Sequence, residues 1–143
     1  MKVDLQKVTV RELVSDYKDE LNLGVTGYGG RLDIRPIFQR EFVYQPKERD
    51  AVINTLYEGF PLNVMYWAVK KDGNYEIIDG QQRTISICQF VNGDFSFAIP
   101  PIKDKRYFHN LKIEEKEKIL NYPLSIYLCI GTEIEKLKWF KTI

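Results

Sequence analysis

The strongest candidate for chemistry is the sequence DGQQR at residues 79–83, which separates two apolar runs. A strand that ends at Asp79 and turns into a helix places unpaired backbone N–H groups at the start of that helix. These groups carry about half a positive charge, so the helix end binds anions without help from side chains. The pattern therefore predicts an anion site at the strand-to-helix turn.

The residue types within this stretch suit a phosphate ligand. Gly80 lacks a Cβ, which would let a ligand approach the backbone closely. Gln81 and Gln82 offer amide groups to phosphate oxygens, sugar hydroxyls or base edges, and Arg83 offers a planar fork that matches phosphate. Without an anion, the Arg83 charge near the positive helix end would cost about 0.3–1 kcal/mol. Asp79 could cap the helix or hold a hydrated Mg²⁺ ion beside a phosphate.

The alternative is a simple Asp-Gly turn followed by a polar helix start, with no ligand at all. Residue chemistry alone does not separate this alternative from an anion site.

A second glutamine–arginine pair, Gln39-Arg40, lies in the sequence RPIFQREFVYQ at residues 35–45. Aromatic residues, among them Phe38, alternate there with polar ones. Such a pattern suits stacking on a base combined with a phosphate contact. The alternative is an edge strand whose aromatic residues cover the core and whose Arg40 pairs with a nearby glutamate.

Composition limits the class of protein. The 143 residues include 44% hydrophobic residues, and 21 basic residues nearly balance 20 acidic ones. A neutral balance argues against a broad nucleic-acid-binding face. Cys88 and Cys129 lie in apolar surroundings and are predicted to be buried free thiols. His109 is the sole histidine, so the sequence has no Cys/His spacing of the kind that binds metals. It shows no signal peptide and no membrane-spanning run, and we therefore expect a cytoplasmic protein.

Periodicity and turn residues predict an α+β fold, a small mixed β-sheet with packed helices. A helix is expected over residues 8–20, capped by Thr9, followed by a glycine-rich loop at 24–30. The other predicted helices are 46–58, 81–91, 112–122 and one after Thr132. The predicted strands are 32–38, 62–70, 75–79, 94–99 and 124–130, with a hairpin turn at KDGN, residues 71–74.

Two of these helices carry more detailed predictions. For the helix at 46–58, Pro46 marks the start and Gly59 the end, and the expected buried stripe is Ala51, Val52, Thr55 and Leu56. The last helix opens with a capping-box pattern, Thr132 and Glu135, places Ile134, Leu137 and Phe140 on one face, and has no stop signal. We therefore expect the chain to be the N-terminal part of a longer protein.

Three segments in this order, DIRPIFQREFVYQ, GFPLNVMYW and YEIIDGQQRTISI, resemble the bacterial DUF262 family. This family is the N-terminal domain of GmrSD-type, modification-dependent restriction systems, within the ParB/sulfiredoxin-like superfamily. The resemblance covers most of the chain. It implies a ParB/sulfiredoxin-like fold that forms one domain over residues 1–143. Domains of this family bind, and often hydrolyse, a nucleoside triphosphate, so the resemblance implies ATP or GTP as the ligand, together with Mg²⁺. Full-length relatives usually continue into an HNH-type nuclease domain.

Carried over by position, the resemblance implies a nucleotide motif at residues 79–83, extended by Thr84. Gln39 and Arg40 would form its partner motif, and Phe38 stands where relatives often have tyrosine. In some relatives the partner segment takes part in sensing modified DNA. The sulfiredoxin branch has Gly-Cys-His-Arg at the place of residues 80–83, so the absence of a thiol here disfavours redox chemistry.

Our leading hypothesis is an NTP-binding, NTP-hydrolysing regulatory domain of a phage-defence protein. The catalytic residues that would act on the phosphates and the attacking water are Asp79, Gln81, Gln82 and Arg83. The full-length protein would bind DNA. It could also form oligomers. The alternative is a non-catalytic module that binds DNA or senses modified DNA. A third interpretation makes the motifs structural, with Arg83 held by a carboxylate such as Asp79. In each case, a chain with one histidine is not expected to cut DNA itself.

Overall fold

The structure is a computed structural model that describes residues 1–20, 24–35, 45–101 and 104–142. Its five helices are α1 (Val10–Val14), α2 (Pro46–Glu58), α3 (Gln81–Asn92), α4 (Ile113–Leu120) and α5 (Glu133–Phe140), and a 3₁₀ turn covers Phe108–Asn110. The strands are β1 (Lys2–Thr9), β2 (Lys18–Glu20), β3 (Gly24–Gly27), β4 (Leu32–Arg35), β5 (Met65–Val69), β6 (Tyr75–Asp79), β7 (Phe97–Ile99), β8 (Asp104–Arg106) and β9 (Pro123–Ile130).

Seven strands form one mixed sheet in the order β1-β9-β5-β6-β4-β3-β2, and β7 pairs with β8 separately. The pairs β4–β6 and β5–β9 are parallel, and the other neighbours are antiparallel. This arrangement confirms the predicted α+β class with a mixed sheet. In the part of the chain that the structure describes, no helix has the length and apolar character needed to cross a membrane.

The predicted helix over 8–20 is wrong in its extent. Thr9 does cap a helix, and it forms a capping box with Glu12, but α1 ends at Val14. Residues before Thr9 form the edge strand β1, and residues 18–20 form β2. The predicted loop at 24–30 is also partly wrong, since residues 24–27 are the strand β3. β1 and β2 are the two edge strands of the sheet and have mostly exposed side chains, so no apolar pattern marks them.

The helix α2 begins at Pro46 and ends at Gly59, which adopts the left-handed conformation, as predicted. Its buried stripe agrees with the expected one at Val52 and Leu56 and differs at the other two positions. Val52, Ile53 and Leu56 are buried, whereas Ala51 is exposed and Thr55 is half-buried. The stripe is shifted because Ile53, rather than Thr55, faces the core.

The main core lies on one face of the sheet. Strand residues such as Trp67 and Ile126 are buried there against side chains of α1–α4, including Leu56 and Phe90. Ala68 and Cys129 point to the opposite face, where α5 lies, with the Trp139 ring 5.0 Å from that of Tyr66. Both cysteines are free and buried, which confirms the prediction for them.

The turn from β6 into α3 depends on Gly80. This residue has φ +105°, and a Cβ built on it would lie 2.4 Å from Cγ of Met65. We expect Gly80→Ala to lower the free energy of unfolding by about 2–4 kcal/mol, because left-handed strain and overpacking add together. Chemical denaturation measures this loss.

Gly73 supplies a matched control, because it has φ +86° but no atom within 4 Å of its built Cβ. Gly73→Ala should cost only about 1–2 kcal/mol from backbone strain. Equal losses for the two variants would contradict the packing argument.

Acid should weaken the contact between the N-terminus and α5. The N-terminal ammonium of Met1 donates to Glu135 at 2.5 Å, and the Thr132 backbone N–H donates to the same carboxylate. These bonds lower the pKa of Glu135 from 4.5 to about 2. The contribution is therefore complete above pH 4.5 and is lost as the pH falls towards 2. Glu135→Gln should flatten the dependence of stability on pH over this interval, and an unchanged dependence would contradict the assignment.

Candidate functional site at the carboxyl ends of β4 and β6

The two glutamine–arginine segments follow neighbouring parallel strands. Leu32 of β4 pairs with Tyr75 of β6, and Asp33 pairs with Glu76. The carboxyl ends of both strands therefore lie on the same side of the sheet. Ligands bind at the carboxyl ends of the strands in sheets with parallel strands. Helix α3 begins directly after β6, and residues 36–44 follow β4.

Phe38, Gln39 and Arg40 fall in this segment and lie outside the described residues. Whether Arg40 faces Arg83 across one ligand therefore stays a prediction.

Gly80 has a structural role that the sequence argument did not anticipate. The space beyond its Cα is filled by the Met65 side chain, and the residue itself is buried. The absence of a Cβ thus lets β5 pack under the turn. We had expected the missing Cβ of Gly80 to leave room for a ligand, but the Met65 side chain fills that space.

Gln81 joins the start of α3 to the end of β4. Its Nε2 donates a hydrogen bond to the backbone carbonyl of Ile34 at 2.6 Å. This bond links the helix N-terminus to the strand from which the second segment departs. Gln81 therefore positions the two parts of the site relative to each other.

Gln82 is half-buried, and the structure gives no hydrogen bond to its side-chain amide among the described residues. Its backbone carbonyl accepts from the Ser86 hydroxyl at 2.9 Å, as in an ordinary helix turn. The amide of Gln82 is thus the motif group that a ligand could engage without breaking an intramolecular bond.

Arg83 is engaged by the protein itself. Its η1 nitrogen donates to the carbonyl of Asn63 at 2.6 Å and to that of Val64 at 3.3 Å. Its η2 nitrogen lies 3.5 Å from Oδ2 of Asp79, and only 16% of the side chain is exposed. The third interpretation, a structural Arg83 near Asp79, describes these contacts well. The Nε group has no bond among the described residues.

Thr84 does not fit the role suggested for it. Its side chain is fully buried, and its hydroxyl lies 3.4 Å from the Met65 sulfur. Its backbone N–H donates to the Gly80 carbonyl, which starts the helical hydrogen bonding. Thr84 thus packs in the core and has no group directed towards a ligand.

The start of α3 is electrostatically open. The helix has no side-chain cap and no acidic residue in its first turn. Asp79 precedes the helix, and its side chain is about half exposed. Among the described residues, no group of three or more His, Cys, Asp or Glu could hold a metal ion. In the described part of the chain, Asp79 thus has no further carboxylate, His or Cys cluster with which to hold a metal ion.

His109 and Cys88 lie away from this edge. His109 is near Gly93, at the opposite end of α3, where it stacks on Tyr107. Burial raises the pKa of the Cys88 thiol, so this residue stays protonated in the core. Neither residue can serve as a base or nucleophile at the start of α3.

Sequence reasoning missed the backbone acceptors of the site. The carbonyls of Ile34, Asn63 and Val64 bind Gln81 and Arg83. A backbone carbonyl has no residue-type signal, so no sequence pattern could have identified these partners.

Comparison with known proteins assigns the chain to a family. The family model of the GmrSD restriction endonuclease N-terminal domain matches residues 10–141. The chain belongs to this family. The GmrSD N-terminal domain is a module of restriction and phage-defence proteins, and the chain is therefore such a module. No curated protein and no solved structure matches the chain.

The contacts of Arg83 predict a loss of stability on its removal. Arg83→Ala deletes two bonds to backbone carbonyls and leaves the carbonyl of Asn63 without that donor. We expect the free energy of unfolding to fall by about 1–3 kcal/mol without any ligand present, measured by denaturant titration. Gln82→Ala is the control and should change stability by less than about 0.5 kcal/mol. Equal stability of both variants would mean that the Arg83 bonds contribute nothing.

Proposed function

We propose that this GmrSD domain binds a nucleoside triphosphate at the sheet edge where β4 and β6 end. The observation that carries the proposal is the parallel pairing of these strands, which brings the uncapped start of α3 next to the departure point of the second segment. Helix N-termini at such edges suit phosphate groups. The resemblance of the motif to the nucleotide motif of this family supports the same ligand.

Each motif residue has a different role in binding the nucleotide. Gln81 holds the end of β4 beside the helix through Ile34, and Arg83 holds the loop before β5 through Asn63. The amide of Gln82 then donates to a phosphate oxygen, and Arg83 contributes its positive charge and its Nε–H from a fixed position. Arg40 would add a second guanidinium from the β4 side.

Hydrolysis would follow from the same arrangement. Of the two glutamines, Gln82 is the better group to orient an attacking water, because the Gln81 amide is bonded to Ile34. The arginines stabilise the charge that develops on the phosphoryl oxygens. When bound with the nucleotide, Mg²⁺ supplies further neutralisation, and Asp79 is the motif carboxylate that would hold it.

Calorimetry with ATP and GTP tests the binding site. We expect Gln82→Ala to weaken nucleotide affinity by roughly fivefold, the loss of about one hydrogen bond, while leaving unfolding unchanged. The matched control is Gln89→Ala, a half-buried glutamine near the other end of the same helix. Affinity that is equal in Gln82→Ala and the unsubstituted chain would remove the central contact of the proposal.

A phosphate-release assay with all four nucleoside triphosphates, with and without DNA, tests hydrolysis. Release that is lost in Gln82→Ala supports the mechanism. Salt-dependent DNA binding without nucleotide binding would instead favour the DNA-sensing alternative. The absence of both activities would favour a structural motif.

A further inference from the structure

Helix α5 packs on the sheet through Lys136 and Trp139, while Ile134 and Leu137 are exposed. Lys136 is only 7% exposed, and its Nζ donates to the Val69 carbonyl at 3.2 Å and pairs with Glu133 at 2.9 Å. On the same helix, Ile134 is 79% exposed and Leu137 is 59% exposed. An amphipathic helix packed on its own core normally buries such aliphatic side chains and exposes its lysines.

The described residues cover the sheet face beneath α5 only in part. A seven-stranded sheet is roughly 29 Å wide, at about 4.8 Å per strand spacing, whereas one helix is about 10 Å across. Ala68 and Cys129 are buried under the helix. On the adjoining edge strand β1, Val3 and Leu5 point to this face through their pairing with β9, and both are exposed. Leu137 borders a cleft over β5 and β6, beside Ala68 and Ile77, and β1 adds exposed apolar side chains to the same sheet face.

Two exposed residues of opposite charge lie near the two ends of α5, so the helix can pair with an antiparallel copy of itself. The exposed Glu133 stands at the first turn, and the exposed Lys141 follows the last turn. An antiparallel copy of the helix, centred on Leu137, places Glu133 of each copy against Lys141 of the other. The helix dipoles also oppose each other in this arrangement.

We propose that a second copy of this chain covers this surface, in a two-fold dimer in which the α5 helices pack antiparallel across Leu137. Each copy buries Ile134 and Leu137 against the other, and two Glu133–Lys141 pairs flank the apolar centre. A two-fold interface must match itself, and this charge order does so. The proposal is independent of nucleotide binding, because α5 lies on the face opposite to the core that supports α3.

The size of the surface sets the strength of the dimer. Stable interfaces bury about 800 Å² per partner, and one eight-residue helix supplies only part of this area. Val3 and Leu5 extend the surface along β1. We therefore expect a concentration-dependent dimer, not an obligate one.

Sedimentation over a range of protein concentrations tests the proposal. The mass of the chain should rise from 16.9 kDa towards twice that value. Leu137→Glu should weaken association at least tenfold without lowering the melting temperature, because the side chain is exposed in the monomer. The matched control is Ile113→Glu on α4, which replaces an equally exposed apolar residue away from this face and should not affect association.

Charge reversal tests the antiparallel arrangement. Glu133→Lys and Lys141→Glu should each weaken association, and an equimolar mixture of the two variants should restore it through a heterodimer with both pairs reformed. A chain that stays monomeric at all concentrations overturns the proposal. Association that survives Leu137→Glu, or variants whose mixture does not recover, also overturns it.

Discussion

The site depends on one close approach, that of the Gly80 backbone to the Met65 side chain. A central strand of the sheet and the first turn of α3 can meet there only because residue 80 has no Cβ and can take a positive φ. Every other contact of the motif follows from this turn, since it sets where the first three residues of α3 stand. Gln81 then reaches the end of β4, and Arg83 reaches the loop before β5.

Within five adjacent residues, the turn separates side chains that are buried or bonded to the protein from a side chain that is not. Gly80 and Thr84 face the core, while Gln81 and Arg83 are bonded to neighbouring backbone. Gln82 alone among the side chains of the first helical turn has no hydrogen bond with the described residues. A motif can therefore be read as one unit in sequence and still divide into parts with different physical roles. Functional groups positioned by a bonded scaffold lose less entropy on binding a ligand.

Elements with strong local signals could be predicted from the sequence. Helix α2 has Pro46 and Gly59 at its ends, and α3 ends at Gly93 in the left-handed conformation, as the Asn-Gly pair indicates. The strand β1 was missed because its residues are mostly exposed, apolar Val3 and Leu5 included, so no buried stripe marks it. The exposed position of Ile134 and Leu137 could not be predicted either, because a pattern shows which residues share a helix face but not what that face contacts. The strand-to-helix turn at residues 79–83 was predicted correctly, and the backbone partners of Gln81 and Arg83 were not.

The charge of Arg83 carries less weight as evidence for an anion than its position suggests. A guanidinium at the positive end of a helix would cost about 0.3–1 kcal/mol if nothing opposed it. Here the carbonyls of Asn63 and Val64 accept from it, and the Asp79 carboxylate lies 3.5 Å away. Bonds from a charged donor are worth about 1.5–3 kcal/mol, which exceeds the dipole cost, so the fold by itself accounts for an arginine at this position. Support for a phosphate ligand therefore comes from the parallel pairing of β4 and β6, the uncapped first turn of α3 and the Gln82 amide, which has no hydrogen bond with the described residues.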